Sequence, residues 1–214
     1  MAYGPETPDP GTRLAQIAES LRAIAVNGLN WAVNDYDRAR YEQALALAIE
    51  LLTLADTRDA LLIERTFRGD LGLRTPSVGV DAAVFDGHGG ILLIQRRDNA
   101  RWAMPGGAAD VGETPAETAE REVREETGLQ VQVIRLVGVY DSRRVGSPEA
   151  SHLYHLVFRC HAVGGMLTTT NEASNLGYFT RDDVATLALH PGHGPRILDA
   201  FRAYRGEAPG AVFQ

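Results

Sequence analysis

The sequence contains no lysine, and all 21 of its basic residues are arginine. We read this as codon bias, but it removes lysine from any list of nucleophiles or bases. There is a single cysteine, Cys160. An intramolecular disulfide is therefore excluded, and a reducing, cytoplasmic setting is expected, with Cys160 a small buried hydrophobe in a strand. Basic charge is also scarce, at a formal net charge of −7. That argues against nonspecific binding to nucleic acid or to an anionic membrane, since both need a clustered basic surface. Long apolar runs are missing too. The most apolar stretch, Ala44 to Ala55, carries Glu50 and is shorter than the roughly 20 residues a membrane-spanning helix needs. The opening MAYGPETPDPG has neither the positive nor the apolar region of a signal peptide and reads as a disordered tail over 1–11.

What remains is an ordinary globular composition, 44% hydrophobic over 214 residues, enough for one large domain or two small ones. From Thr12, apolar residues recur at helical spacing up to a break at Asn27-Gly28. A second helical stripe runs from Tyr36 or Asp37 through Ala55, and a third from about Thr57 to Phe67. These define a helical unit over 12–70, small enough to need a partner for its core. Trp31, Tyr36 and Tyr41 read as core or dimer packing, or as an aromatic reaching a substrate pocket.

After a linker over 71–76 the period changes to that of strands, opening a second domain over 77–214. Ser77 to Phe85 and Ile91 to Arg96 flank the turn Asp86-Gly87-His88-Gly89-Gly90. Further strands are expected at Val131 to Tyr140, His152 to Arg159 and Met166 to Thr170, with helices at Asp182 to Leu187 and Pro195 to Tyr204. Strands interleaved with a few helices predict an α/β fold, an α/β/α sandwich around a mixed sheet.

The densest chemistry lies between Gly107 and Leu129. Thr114, Pro115 and Glu117 form an N-cap, a favoured first helical residue and a capping-box partner, and Gly128 suits the left-handed position that ends a helix. The spacing predicts a helix from Pro115 to Thr127. Ala116, Ala119, Val123 and Thr127 share one side, and Glu122, Glu125 and Glu126 gather on another. Carboxylates at these spacings repel, each pair by about 0.2–0.5 kcal/mol in an isolated helix. An oxygen-only cluster suits a hard divalent ion, Mg2+ or Mn2+. The alternative is a solvated acidic face, with Arg121 pairing Glu117 and Glu125 and Arg124 pairing Glu120.

Gly107, then five residues, Glu113, then seven residues and Arg121-Glu122-Val123-Arg124-Glu125-Glu126-Thr127-Gly128-Leu129 matches every specified position of GX5EX7REUXEEXGU, where U is aliphatic. The chain therefore resembles the Nudix hydrolases, and Trp102 to Gly107 has the WxxPGG character of that family. Gly28-Leu29-Asn30-Trp31 and Asp35 to Tyr41 are similar to the helical N-terminal domain of some bacterial members, where it contributes to dimerisation.

The resemblance implies a pyrophosphatase that needs Mg2+ or Mn2+. Glu122 and Glu126 would be its main metal ligands, Glu125 a further ligand or water contact, and the Gly106 carbonyl would complete the site. Arg121 would orient the glutamates, and Glu113 would reinforce the loop and helix start. The general base is a box glutamate or a loop carboxylate, with Glu172 the outside candidate; related sequences often carry an acid where this one has Asn175. Glu172 is therefore expected as both a catalytic and a metal-binding residue.

Arg96, Arg97, Arg143 and Arg144 are candidate phosphate clamps, because guanidinium forks match phosphate oxygens. The second pair lies in the loop Asp141 to Ser151, which could close over substrate. Tyr140 and Tyr154 are candidates for stacking on a base or holding a quaternary ammonium. The six histidines do not suggest zinc: His152 and His155 point to opposite faces of a strand, and His190 and His193 flank Pro191-Gly192 in an expected loop.

The expected activity is hydrolysis of a nucleoside diphosphate linked to another moiety, such as ADP-ribose or CDP-choline, by a cytoplasmic homodimer. Pro148 departs from the spacing usual among ADP-ribose enzymes. A MutT-like nucleoside triphosphate pyrophosphohydrolase and a non-catalytic nucleotide-binding regulator are the alternatives.

Overall fold

The computed structural model describes residues 9–147 and 151–213, which form two compact units. Residues 1–8 of the expected tail lie outside the described residues, as do Pro148 and part of the expected closing loop.

The helical unit contains α1 (Pro10–Trp31), α2 (Asp35–Ala55) and α3 (Ala60–Gly69). Each begins at a side-chain cap. Asp9 accepts from the amides of Gly11 and Thr12, Asn34 from Asp37, and Asp59 from Leu61 and Leu62. Ala18, Ala25, Val26, Leu45, Leu52, Ile63 and Phe67 form the core.

Two sequence expectations change here. Helix α1 starts at Pro10, inside the expected tail, and it runs through Asn27-Gly28 instead of breaking there. The reason is local. A Cβ on Gly28 would lie 2.2 Å from Cε1 of Tyr41, so glycine makes room for that ring. Asn27 uses its side chain to exchange two hydrogen bonds with the backbone of Arg74. Arg74 also pairs with Glu19 at 2.6 Å and Asp70 at 2.7 Å, so the segment after α3 is fastened along α1.

The second unit is built on one mixed, eight-stranded sheet ordered β3-β2-β1-β6-β5-β8, with β4 also paired to β1 and β7 to β2. Its strands are β1 (Ser77–Phe85), β2 (Ile91–Arg96), β3 (Trp102–Ala103), β4 (Gly106–Ala108), β5 (Leu129–Asp141), β6 (Leu153–Gly165), β7 (Ala173–Phe179) and β8 (Val212–Phe213). Only the pairing of β8 with β5 is parallel among the registers described.

Helix α4 (Pro115–Thr127) covers one face, burying Ala119 and Val123 against Val80, Ala82, Val84 and Leu92. Helix α6 (His193–Tyr204) covers the other, burying Ile197, Ala200 and Phe201 against Ala83, Phe85 and Leu93. A short α5 (Arg181–Val184) precedes it. Strand β1 thus feeds alternate side chains to two layers, as the twofold period of a strand requires. The result is the α/β/α sandwich.

Met166 to Thr170 is not a strand, contrary to expectation; the strand is Ala173–Phe179, along β2. The threonines serve the end of α4 instead. Thr168 donates its amide to the Thr127 carbonyl, and Thr170 its hydroxyl to that of Glu126. Carbonyls in the last turn of a helix need such outside partners.

Candidate active site

Helix α4 begins at the capping box of Thr114 and Glu117 and ends at Gly128, whose φ is 76°. Its carboxylates are sorted by burial. Glu125 is exposed, Glu122 is mostly buried, and Glu126 is only 7% exposed. Glu126 lies three residues after Val123 and seven after Ala119, so it borders the apolar face and is carried inward with it.

The partner of Glu126 is the loop leading into the box. Gly106 donates its amide to Glu126 Oε2 at 2.8 Å. Sequence reasoning assigned the Gly106 carbonyl to the site; the contact made here is through its amide. That loop is pinned from both ends. Ala82 donates to the Pro105 carbonyl at 2.8 Å, Met104 donates to His193 Nδ1 at 3.3 Å, and Gly106 is the ladder partner of Asp81.

Arg121 organises the outer side of the cluster. It forks onto Glu113 through Nε at 2.8 Å and Nη2 at 3.1 Å, reaches Glu122 at 2.8 Å and Glu125 at 3.2 Å, and donates to the Ala108 carbonyl at 3.1 Å. The Glu113 partner replaces the expected Glu117, whose carboxylate is taken by the capping box. Those hydrogen bonds from Arg121 hold Glu113 below the usual carboxylate range.

The inner carboxylates move the other way. Burial pushes Glu126 up to about 8, with the charges of Glu122 and Glu172 adding to the rise and the Gly106 amide opposing it. Burial likewise raises Glu122, against the pull of Arg121 and with repulsion from Glu125 and Glu172. Three acids therefore share one field.

Glu126 and Glu172 line a pocket of about 260 Å3 together with Ile94, Arg96, Arg97 and Asp98. Arg96 forks onto Asp98 at 3.0 and 2.8 Å. Arg97 ties down the Glu172 loop, donating its amide to the Glu172 carbonyl at 3.0 Å and Nη2 to the Thr170 carbonyl at 3.0 Å. Asp98 and Ile94 were not singled out from sequence. The Arg96-Arg97-Asp98 order, at a turn closing β2, was the signal for Asp98.

Four expected substrate contacts are not brought to this pocket. Tyr140 is completely buried and donates its hydroxyl to Asp199 at 3.1 Å, so it offers no face for stacking. Tyr154 is the ladder partner of Asp141 on the β5–β6 hairpin, and it does not line the pocket. Arg143 and Arg144 sit in the turn after β5, apart from the lining residues. His193, expected in a loop, begins α6 and is buried, which holds its imidazole neutral.

Among the described residues, no group of three or more His, Cys, Asp and Glu side chains is gathered tightly enough to hold a metal ion as placed. Glu122 and Glu125 are turned toward Arg121, and Glu126 toward Gly106. The donor chemistry nevertheless suits a hard divalent cation: oxygen ligands only, mutually repelling, one of them buried without a cationic hydrogen-bond partner.

Helix, loop and sandwich together present an acidic helix, α4, against a glycine loop on a mixed sheet. A profile described as the NUDIX domain matches residues 75–201, and one described as a UDP-X-like, N-terminal oligomerisation domain matches residues 12–67. The chain belongs to the Nudix family and is a pyrophosphatase-type hydrolase.

It is 32% identical to the Bacillus subtilis (strain 168) protein YjhB, whose name proposes an ADP-ribose pyrophosphatase, over 83% of this chain and 85% of that one. It is 35% identical to an ADP-ribose pyrophosphatase of Methanocaldococcus jannaschii, over 61% of this chain and 76% of that one. The crystal structure of a UDP-X diphosphatase superposes with a TM-score of 0.61 at 26% identity, covering 95% of this chain and 99% of that one.

Proposed function

We propose that the protein is a Mg2+- or Mn2+-dependent diphosphatase that cleaves a nucleoside diphosphate joined to a second moiety, releasing a nucleoside monophosphate and a phosphorylated product. The observation that carries this reading is the field shared by Glu122, Glu126 and Glu172 beside a pocket edged by Arg96 and Arg97. Glu122, Glu126 and Glu172 would hold the cation, with Glu125 at its margin and the Gly106 backbone closing the set. A bound divalent ion supplies neutralisation of phosphate charge and a more acidic water.

The chain's own residues do the rest. Arg121 fixes the side chains of Glu122 and Glu125, and the Gly106 amide orients Glu126. Arg96, forked onto Asp98 at the pocket edge, would meet a phosphate oxygen. Arg97 keeps Glu172 at the pocket edge, where its exposed carboxylate is our choice for the group that takes the proton of the attacking water. ADP-ribose and UDP-linked compounds are the favoured substrates, supported by the names of the YjhB relative and of the superposable UDP-X enzyme.

The helical unit would form the contact of a homodimer. Its surface exposes Ile24, Trp31, Leu54 and Leu61 at 62, 76, 73 and 63%, and its matching profile is described as an oligomerisation domain. Exposed apolar residues at this density favour a protein partner. No helix among the described residues is long and apolar enough to cross a membrane, and we place the enzyme in the cytoplasm.

The test is a panel of ADP-ribose, UDP-linked sugars, CDP-choline and nucleoside triphosphates, incubated with Mg2+, with Mn2+ and with chelator, and read by product mass. Turnover of at least one linked diphosphate, abolished by chelator, is expected. Release of pyrophosphate from triphosphates alone would overturn the substrate class, and metal-independent turnover would overturn the cofactor.

A further inference from the structure

Arg159 on β6 is directly opposite Arg135 on β5 in the antiparallel ladder. Facing residues of such a ladder project to the same side, and like charges so placed are destabilising. Neither guanidinium forms an ion pair with a carboxylate among the described residues. Arg135 spends Nη2 on the carbonyls of Ala208 and Gly210, at 2.9 and 3.1 Å. Arg159 has no such outlet, and its Nε is buried with no acceptor. A buried donor left unmet is destabilising. The pair therefore lacks an anion.

A space for one lies alongside. Arg159 helps line a pocket of about 470 Å3 with Phe85, His161, Tyr178 and Tyr204. Tyr204 stacks on Phe85 with ring centroids 4.3 Å apart and planes 16° from parallel, and the Arg159 guanidinium carbon is 5.3 Å from its centroid. The acid on this wall, Asp86, has one carboxylate oxygen engaged by its own turn. Its Oδ1 accepts the amides of His88 and Gly90, both at 2.8 Å. Charge without a counterion thus sits beside fixed aromatic rings.

This pocket is separate from the catalytic one. Strand β7 enters beside Glu172 and reaches the second pocket at Tyr178, about 17 Å on from Ala173 at the usual rise per strand residue. We propose that it is a second binding site for a small organic anion carrying a flat ring, with the anionic group on Arg159 and the ring against Tyr204 and Tyr178. Guanidinium forks suit phosphate and carboxylate alike, so a nucleoside monophosphate and an aromatic carboxylate are the two sources of this chemistry.

The full chain, kept free of metal with chelator, is titrated calorimetrically with adenosine and uridine monophosphates, benzoate and inorganic phosphate. A ring-bearing anion binds one to one and more tightly than phosphate. Arg159→Gln weakens that binding about tenfold, while Arg159→Lys, which keeps the charge, weakens it less. Arg97→Gln, at the other pocket, leaves it unchanged. Arg159→Gln retains hydrolytic activity. The monophosphate and benzoate arms separate the two sources. Failure of every ring-bearing anion to bind, or equal affinity for phosphate, overturns the proposal. So does an affinity unaltered by both Arg159 variants, and the lysine variant decides the matter should the glutamine variant not fold.

Discussion

Arg196 and Asp81 form a buried ion pair on the face of the sheet opposite α4, with Asp81 the ladder partner of Gly106. Arg196 is 1% exposed and Asp81 5%. Arg196 also donates Nε to the Gly192 carbonyl at 2.9 Å, so one side chain joins the start of α6 to the strand beneath the Gly106 loop. Burial pushes the Asp81 carboxyl up, and Arg196 pulls it back. Removing one member of a buried pair strands the other. Arg196→Met should therefore cost about 3–5 kcal/mol in denaturant unfolding, whereas Arg196→Met with Asp81→Leu should recover most of that loss. A single variant as stable as the wild type would show that the pair bears no such load.

The buried carboxylate of Glu126 ties stability to pH. Its value in the folded chain, about 8, lies above its ordinary 4.5. The folded state therefore holds a proton that the unfolded chain releases, and this contribution is complete below about pH 4.5 and fades as the pH rises toward 8. Metal-free protein should melt at progressively lower temperature across that interval, and Glu126→Gln should flatten the slope. Identical melting profiles for the variant and the wild type would refute the assignment.

Turnover should separate the acids by role. Glu126→Gln and Glu122→Gln are expected to lose at least about a hundredfold in kcat with weakened Mg2+ dependence. Glu172→Gln should lower kcat by about 100-fold or more with KM little changed, as loss of a general base does. A Glu172→Gln enzyme with the wild-type kcat would return the base to the box.

Association should track the helical unit. Trp31→Glu with Leu54→Glu is expected to shift light-scattering mass from dimer to monomer while the circular dichroism stays helical. A monomeric wild type would rule out the dimer.

Much of the architecture was readable in the sequence, because the signals were local. Thr114, Pro115 and Gly128 bracket α4 by capping chemistry alone. The hairpin at Asp86 to Gly90 is equally self-contained, closed by Asp86's own side chain. Long-range effects were not readable. Gly28 looked like a helix breaker until Tyr41 was seen against it, and Tyr140 looked like a stacking surface before Asp199 and the core enclosed it. The burial of Glu126 was present in its spacing from Ala119 and Val123, but it was outweighed by the acidic stripe it shares with Glu122. The partnership of Arg196 with Asp81 spans 115 residues and leaves no local trace.

Gly106 contributes no side chain, yet its position tolerates none. A Cβ there would come within 2.1 Å of the Val80 carbonyl, a backbone atom that cannot swing aside. Even alanine would lift the loop from β1 and carry its amide off Glu126. An unbiased screen for inactive variants should consequently return this glycine among the glutamates, although its role is to be thin.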